Sequence, residues 1–455
     1  MAGATMDKIV NLCKGRGLIF QGSEVYGGMG NTWDYGPVGV EIKNNVKKLW
    51  WKKFVTESEN SFGVDAAILM NSKVWEASGH IASFTDPKMD CKKCKSRFRA
   101  DNLIEEYSKG EIDVDLMSND EMEKYIAEHK INCPRCGNFD WTPIRQFNMM
   151  FETSRGVTDE NQNRIYLRPE TAQGEFVNFL NVQRSTRAKV PFGIAQIGKA
   201  FRNEITPGNF TFRTIEFEQM EHQWFCKEGS DGEFYNDYKK KAHDFLTAIG
   251  INPEHLRFHD HEKLAHYAKS ACDIQYLYPF GWSELNGIHN RTDYDLTRHQ
   301  EFSGKSMLYL DPVTNEKFIP YVIEYSIGAD RLMLALMCEA YDEEQLENET
   351  RVVLHIHPAV AAYKIAVLPL QKNMSEKGRE IYRSLVKHFA CSYDDAGSIG
   401  KRYRRQDEIG TPYCVTIDFE TLENDTVTLR DRDSMEQIRL PISEIAAYVN
   451  EKITL

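Results

Sequence analysis

The sequence predicts an α+β protein of more than one domain, and three observations carry that prediction. The chain has 455 residues, more than one compact core holds. Between residues 139 and 340, strand-like runs alternate with turn signals: RIYLRPE, IAQIGKAFRNE, RTIEFEQMEHQWF, MLYLDP and KFIPYVIEYS. Only two helices are obvious there, from about Asn236 to Ala248 and along RLMLALMCEAY, so a mixed or antiparallel sheet flanked by helices is expected. Beyond the acidic, polar segment YDEEQLENETR, which reads as a linker, KIAVLPL, EKGREIYRSLVKHF, YCVTIDF and TVTLRDRD follow strand–helix–strand order. The expected division is 1–345 for the larger unit and 346–455 for a small α/β domain.

Composition narrows the class. Charged residues make up 27% and hydrophobic residues 41%, an ordinary globular balance. No apolar run is long enough to cross a membrane, and the N-terminus lacks a secretion signal, so a cytoplasmic protein is expected. Ten cysteines in so long a chain fit a reducing compartment better than a disulfide scaffold. A formal net charge of −12 excludes a general nucleic-acid coat but leaves room for a local basic surface.

Along the chain, YGGMGNTWDYGPVG reads as turns and short strands. A helix follows, with Ile42, Val46, Leu49, Trp50 and Phe54 at steps of three and four. That stripe suits the chain's own core or the face of a second subunit, and the Trp50–Trp51 pair keeps the second reading open. From Asp90 to about Asn138 an insert opens with CKKC and closes with CPRCG around a helical EMEKYIAEHK. Cys91 and Cys94 are separated by 38 residues from Cys133 and Cys136, a pattern that suits a structural four-thiolate zinc site better than a redox pair.

Three polar clusters invite a ligand. In KAFRNE, Arg202 and Glu204 share one face if the segment is extended, and Phe217 returns among Glu216, Glu218 and Glu221. A guanidinium for a phosphate, a carboxylate for an exocyclic amine and a ring for a purine make a nucleotide clamp, with Arg213 in the intervening loop. RNE alone would serve equally as a surface ion pair. No GxxxxGK[ST] occurs, so a P-loop is excluded. The second cluster, FGWSELNGIHNRTDYDL, carries Glu284, Asn286, Arg291 and Asp293. In the third, VIEYSIGADRLMLAL, Gly328 permits close backbone approach, and Arg331 adds a cation to a positive helix end, which favours an anion there.

Together with YGGMGNTWDYGPVGVEIKNN, VWEASGH, YLRPETAQGEFVNF, IGKAFRNEITP, EFEQMEHQWF, GWSELNGI and EYSIGADR, these strings resemble the glycyl-tRNA synthetases of the homodimeric bacterial kind, within the class II aminoacyl-tRNA synthetases. The resemblance spans almost the whole chain. It implies a class II antiparallel-sheet catalytic domain followed by a C-terminal anticodon-binding domain. The helix from about Val38 to Val55 would build a dimer interface. Arg202 would hold the α-phosphate of ATP, Glu204 the adenine amine and Arg331 the γ-phosphate. Phe217 would stack on the base, with Asn203, Phe212, Arg213, Leu285 and Gly328 completing the ATP set and Glu284 serving ATP and its Mg²⁺. Ser326 stands near the family's usual opening glycine of the third motif, a departure read as substrate adaptation. Glu170, Glu221 and Glu324, with Ser326 nearby, would surround a glycine ammonium, and Arg99 would meet its carboxylate. Lys401, Arg402, Arg404 and Arg405 would contact tRNA phosphates, with Arg430 and Arg432 extending the patch.

The implied activity is ATP-dependent formation of glycyl-adenylate and transfer of glycine to the 3′ end of tRNA(Gly). Two alternatives stand beside it. One is a non-catalytic nucleic-acid-binding protein on the same scaffold. The other is a synthetase for another small amino acid, such as alanine or serine. No editing domain is visible, so alanine has to be refused by a tight wall.

Overall fold

The computed structural model describes residues 4–454 apart from 110–111, 113, 115–116, 156–162, 205–207, 262–263, 265–267 and 348. Helix α1 (Pro37–Trp51) starts after Gly36 with proline in its first turn and runs on into a π-turn at Lys52–Thr56. Gly39 lets it lie against the preceding strand region, since a Cβ there would stand 1.9 Å from the Leu18 carbonyl oxygen. Its stripe is buried within this chain: Ile42, Val46 and Trp50 are 0% exposed. Trp50 stacks on Tyr325 at 6.2 Å, and Phe54 meets Tyr325 at 4.6 Å and Phe245 at 5.6 Å. Most of that stripe is therefore taken up by the chain's own core, while Leu49 is only partly buried. The apolar back of the central sheet needs a cover, and this face of α1 supplies it.

The sheet has seven strands: β1 (Ser61–Gly63), β2 (Phe192–Phe201), β3 (Glu216–Cys226), β4 (Leu256–Asp260), β5 (Ser270–Tyr278), β6 (Gly281–Thr292) and β7 (Tyr321–Gly328). Their order is β4-β5-β6-β7-β3-β2-β1, antiparallel throughout except for the β1–β2 pair. One face packs on α1 and on the longer helices. The other is covered at one end by α2 (Ala172–Val177). Further helices of this unit include α3 (Asp231–Ala248), α4 (Tyr294–Ser303) and α5 (Ala329–Ala340). Strand alternation separates the two environments. On β7, Ile323, Tyr325 and Ile327 enter the main core, while Glu324, Ser326 and Gly328 face the other way.

The insert has its own three-stranded sheet, Thr85–Asp90 with Arg97–Arg99 and Arg145–Asn148, and a small core of Met89, Leu103, Ile104, Met122 and Ile126. Its second helix, Asn119–Glu128, starts on a capping box between Ser118 and Glu121.

The segment read as a linker is instead a hairpin, Tyr341–Gln345 paired with Thr350–Leu354. Its charges are internally spent. Arg351 is 0% exposed and donates to Glu344 at 2.7 Å and to Asp407 at 2.8 Å. Residue 348 of that segment, like 205–207 in the ITPGN loop, lies outside the described residues.

The C-terminal sheet comprises β8 (Ile365–Pro369), β9 (Cys391–Tyr393), β10 (Tyr413–Ile417), β11 (Thr426–Asp431) and β12 (Gln437–Pro441) in the order β9-β8-β10-β11-β12. The β9-β8-β10 part is parallel and the rest antiparallel. Helices α6 (Ser375–Leu385), α7 (Ile399–Glu408) and α8 (Ile445–Ile453) pack beside it.

The basic run lies on α7, where most of its charge serves the fold. Arg402 is 5% exposed and donates to the carbonyls of Pro369, Asp395 (3.1 Å) and Gly397 (2.6 Å). Arg404 pairs with Glu349 and with Asp407 at 3.3 Å, and Arg405 with Asp394 at 2.7 Å. Arg430 and Arg432 are 4% and 2% exposed. Arg402 is thus no phosphate contact, because the end of β8 and the turn after β9 consume its donors. Lys401 alone of the four is exposed with no ion pair among the described residues.

Candidate active site

Strand register builds the site floor. Glu221 of β3 lies opposite Ser326 of β7, which lies opposite Gly287 of β6. One step along, Gln223, Glu324 and His289 form the neighbouring row, and Gln219 faces Gly328 on the other side. Because β2 and β7 both run antiparallel to β3, their C-terminal ends meet its N-terminal end. Arg202, Phe217 and Arg331 therefore gather at one edge of the floor, and a single cleft is lined by these three together with Glu204 and Glu284.

Arg202 and Glu204 do not share a strand face, because β2 ends at Phe201. The chain turns there, with the Arg202 N–H on Ile215 O at 2.9 Å and the Glu204 N–H on Arg202 O at 2.8 Å. The Arg202 guanidinium donates to Pro169 O at 3.0 Å and sits 5.3 Å from the Phe84 ring and 5.4 Å from Phe217. Arg213 reaches Glu204 at 3.8 Å. Arg331, in the first turn of α5, lies 4.5 Å over Phe212, donates to Phe212 O at 3.1 Å and pairs with Glu284 at 3.0 Å. The Arg331 charge holds the Glu284 carboxyl below its ordinary range.

The neighbouring Asp330 was not singled out by the sequence. It is buried and accepts from Tyr35 Oη at 2.5 Å, Lys43 Nζ at 2.7 Å and the Glu218 N–H at 2.7 Å. It ties the start of α5 to α1 and to β3.

The other half of the cleft is acidic. Glu221 accepts from Ser326 Oγ at 2.8 Å, Gln219 Nε2 at 3.2 Å and Thr171 Oγ1. Glu324 accepts from Gln223 Nε2 at 3.0 Å and pairs with His289 at 2.9 Å and Arg291 at 3.2 Å. Glu170, just before α2, accepts from Gln173 Nε2 at 3.0 Å and faces His80 at 3.4 Å. These surroundings separate three equivalent carboxyls. Burial, with the charges of Glu324 and Glu170, pushes Glu221 up to about 7. Burial acts on Glu324 too, but Arg291 and His289 outweigh it and bring it down to about 2. Burial is likewise overcome at Glu170, where His80 and Arg291 hold the carboxyl well below its usual range.

Of the sequence-expected residues, Glu170, Arg202, Glu204, Phe212, Arg213, Phe217, Glu221, Glu284, Leu285, Glu324, Ser326, Gly328 and Arg331 line one cleft. Asn203 is not among them, and neither is Arg99. Arg99 pairs with Asp86 and Asp101 at 3.1 Å and 2.5 Å, so its donors are already taken. His289, Gln219 and Thr171 joined the acidic half without a signal of their own.

In the insert, Cys91 Sγ lies 3.6 Å from Cys136 Sγ and Cys94 Sγ 3.7 Å from Cys133 Sγ, with all four sulfurs within 4.8 Å of one another. A tetrahedron with metal–sulfur bonds of about 2.3 Å has sulfurs about 3.8 Å apart, so the donor set fits a zinc ion.

Comparison with known proteins sets this geometry in a family. Residues 151–341 match the model described as tRNA synthetase class II core domain (G, H, P, S and T), and residues 364–452 match that described as anticodon binding domain. The chain is 61% identical over 456 residues to a glycine–tRNA ligase of Clostridium kluyveri, with 99% of this chain and 98% of the relative covered. It is 59% identical to the glycine–tRNA ligases of Caldanaerobacter subterraneus (454 residues) and Geobacillus thermodenitrificans (456 residues), at 99% and 98% coverage in both cases.

Proposed function

Since this chain belongs to the glycine–tRNA ligases, a class II synthetase family, we propose that its cleft binds ATP along the Arg202–Phe217–Arg331 edge and glycine among Glu170, Glu221 and Glu324. The protein is a ligase that activates glycine with ATP and attaches it to tRNA. The observation that carries the site assignment is the sharing of one sheet face: two cations and a ring at one edge, three carboxyls at the other.

Activation joins a glycine carboxylate oxygen to the α-phosphorus as the bond to the leaving diphosphate breaks. The attacking group is already ionised, so no general base is required. What the protein supplies is alignment and positive charge on the crowded phosphoryl group. Arg202 suits the α-phosphate, and Arg331, at the positive end of α5, suits the far end of the triphosphate. Phe217 offers the base a ring face, and Glu204 an acceptor for its amine. Mg²⁺ held with ATP at Glu284 would add further positive charge to the phosphates. In the second step the 3′-terminal hydroxyl of tRNA attacks the activated carbonyl and AMP leaves.

ATP–pyrophosphate exchange measured side by side with glycine, alanine and serine tests the reading. Exchange is expected with glycine alone, and equal exchange with alanine or serine would refute the assignment of the pocket. The electrostatics add a pH signature. An ammonium needs Glu221 ionised, and burial with the neighbouring carboxylates pushes its carboxyl up to about 7. The KM for glycine should therefore be flat above that pH and rise by up to about tenfold per unit below it, while the KM for ATP stays level. In Glu221→Gln the glycine KM should be high and independent of pH across the same range.

The four insert thiolates are proposed to hold structural zinc, leaving no open coordination position. Metal analysis should give about one zinc per chain, and chelation should melt the insert before the rest. Protein with no zinc and four freely reactive thiols would refute this. The homodimeric state is likewise a proposal. It draws support from the 93% exposure of Val25 and Tyr26 in the glycine-rich N-terminal loop, whereas most of the stripe of α1 is already used. Contact with tRNA phosphates falls to Lys401 and to the outer edges of Arg404 and Arg405. No helix among the described residues is long and apolar enough to cross a membrane.

A further inference from the structure

Behind the acidic half of the cleft stands a fourth carboxyl with no evident duty. Glu175 lies in α2, is 0% exposed, and neither of its carboxyl oxygens has a hydrogen-bond partner. An orphaned buried carboxylate is costly and calls for a physical reason.

Its neighbours supply one. Helix α2 rests directly on β2, since a Cβ on Gly174 would stand 3.3 Å from Gln196 Oε1. Gln196 is the register partner of Glu221, and Gln223 lies two residues further along β3. The two glutamines are diagonal neighbours on one sheet face. Gln196 Oε1 accepts from the Ala66 N–H at 3.3 Å, and its Nε2, on the side of Gly198, has no partner. Gln223 Nε2 donates to Glu324 Oε2 at 3.0 Å, which leaves Gln223 Oε1 without a partner. The region thus holds one unmatched donor, one unmatched acceptor and one unmatched carboxyl. A carboxylate only accepts and cannot satisfy Gln223 Oε1. A carboxylic acid presents an O–H donor, which can.

We propose that Glu175 is a neutral carboxylic acid that donates to Gln223 Oε1, and so fixes the Gln223 amide that positions Glu324 for the substrate ammonium. Glu175 is a positioning residue, acting through Gln223 and touching no substrate. Independently, burial and the charges of Glu221 and Glu324 raise its carboxyl well above the usual range, outweighing the neighbouring Gln223 backbone N–H and Arg168, which act the other way. The inference rests on the assignment of Glu324 to the glycine ammonium.

Two measurements on the full-length protein test it. Difference infrared spectroscopy of the wild type against Glu175→Gln should show, at neutral pH, the carbonyl stretch of a protonated carboxylic acid that the variant lacks. In the exchange assay Glu175→Leu should raise the KM for glycine about tenfold with the KM for ATP unchanged, and Glu175→Gln, which again offers a donor, should bring the glycine KM back. Absence of the carbonyl band overturns the proposal, whether or not the leucine variant folds. So does a glutamine variant as impaired as the leucine one, or an unaltered glycine KM in both. A Glu324→Gln variant that keeps the wild-type glycine KM would instead locate the fault in the ammonium assignment.

Discussion

Replacing Arg331 with alanine should lower glycine-dependent ATP–pyrophosphate exchange by roughly 10³-fold, the scale on which fixed cations and donors act on phosphoryl and acyl transition states. The guanidinium is preorganised. Phe212 O, the Phe212 ring and Glu284 hold it before any ligand arrives. It therefore meets the triphosphate without spending side-chain entropy at the moment of reaction. Lysine in its place keeps a charge but loses the planar fork, so Arg331→Lys should recover only a small part of the rate. The loss should appear in kcat and in the KM for ATP, while the KM for glycine changes little, because Glu170, Glu221 and Glu324 keep their own partners. Arg202→Ala should act in the same direction. If removal of both guanidiniums left exchange intact in folded protein, the nucleotide would have to lie elsewhere.

The second large effect concerns stability. Asp407 is 0% exposed and receives Arg351 at 2.8 Å, Arg430 at 2.9 Å and Arg404 at 3.3 Å. Alanine at this position would strand two guanidiniums, those of Arg351 and Arg430, that are themselves 0% and 4% exposed. Breaking a buried ion pair from one side costs about 3–5 kcal/mol, because the remaining charge is left in a poor solvent for it. Asp407→Ala should therefore unfold the C-terminal unit well below the melting temperature of the rest, visible as a separate early transition in calorimetry. Exchange should survive at low temperature, since the cleft lies in the other unit, while charging of tRNA should fail. A single unshifted transition would mean that the network contributes little.

The two halves of the cleft were legible to different degrees. Residues carried by a distinctive local string, such as Arg202 in FRNE and Arg331 in GADR, converge in the structure with the acids of RPE, QME and VIEYS. Strand β6 was not read as a strand, because the polar site residues it carries, Glu284, His289 and Arg291, break the two-residue alternation that announces a strand. Short helices α2 and α4 hid for a related reason: their inward faces are polar, with Gln173, Glu175, Asp295 and His299 all buried. Arg99 and Arg402 show the opposite limit. A sequence reveals that a cation is present but not that neighbouring carboxylates or carbonyls have already consumed its donors. Asp330 and Glu175 gain meaning only from what packs on them, Lys43 in one case and Gln223 in the other.

Asp330 binds Tyr35, Lys43 and the backbone of β3 at once, immediately before the arginine assigned to the triphosphate. Ordering of the first fifty residues and readiness for nucleotide are thereby a single event. A chain that loses its amino-terminal segment, by proteolysis or before synthesis has brought that segment home, leaves a buried acid uncompensated beside the phosphate grip, so damage at the far beginning of the polypeptide reaches the reaction centre without touching it.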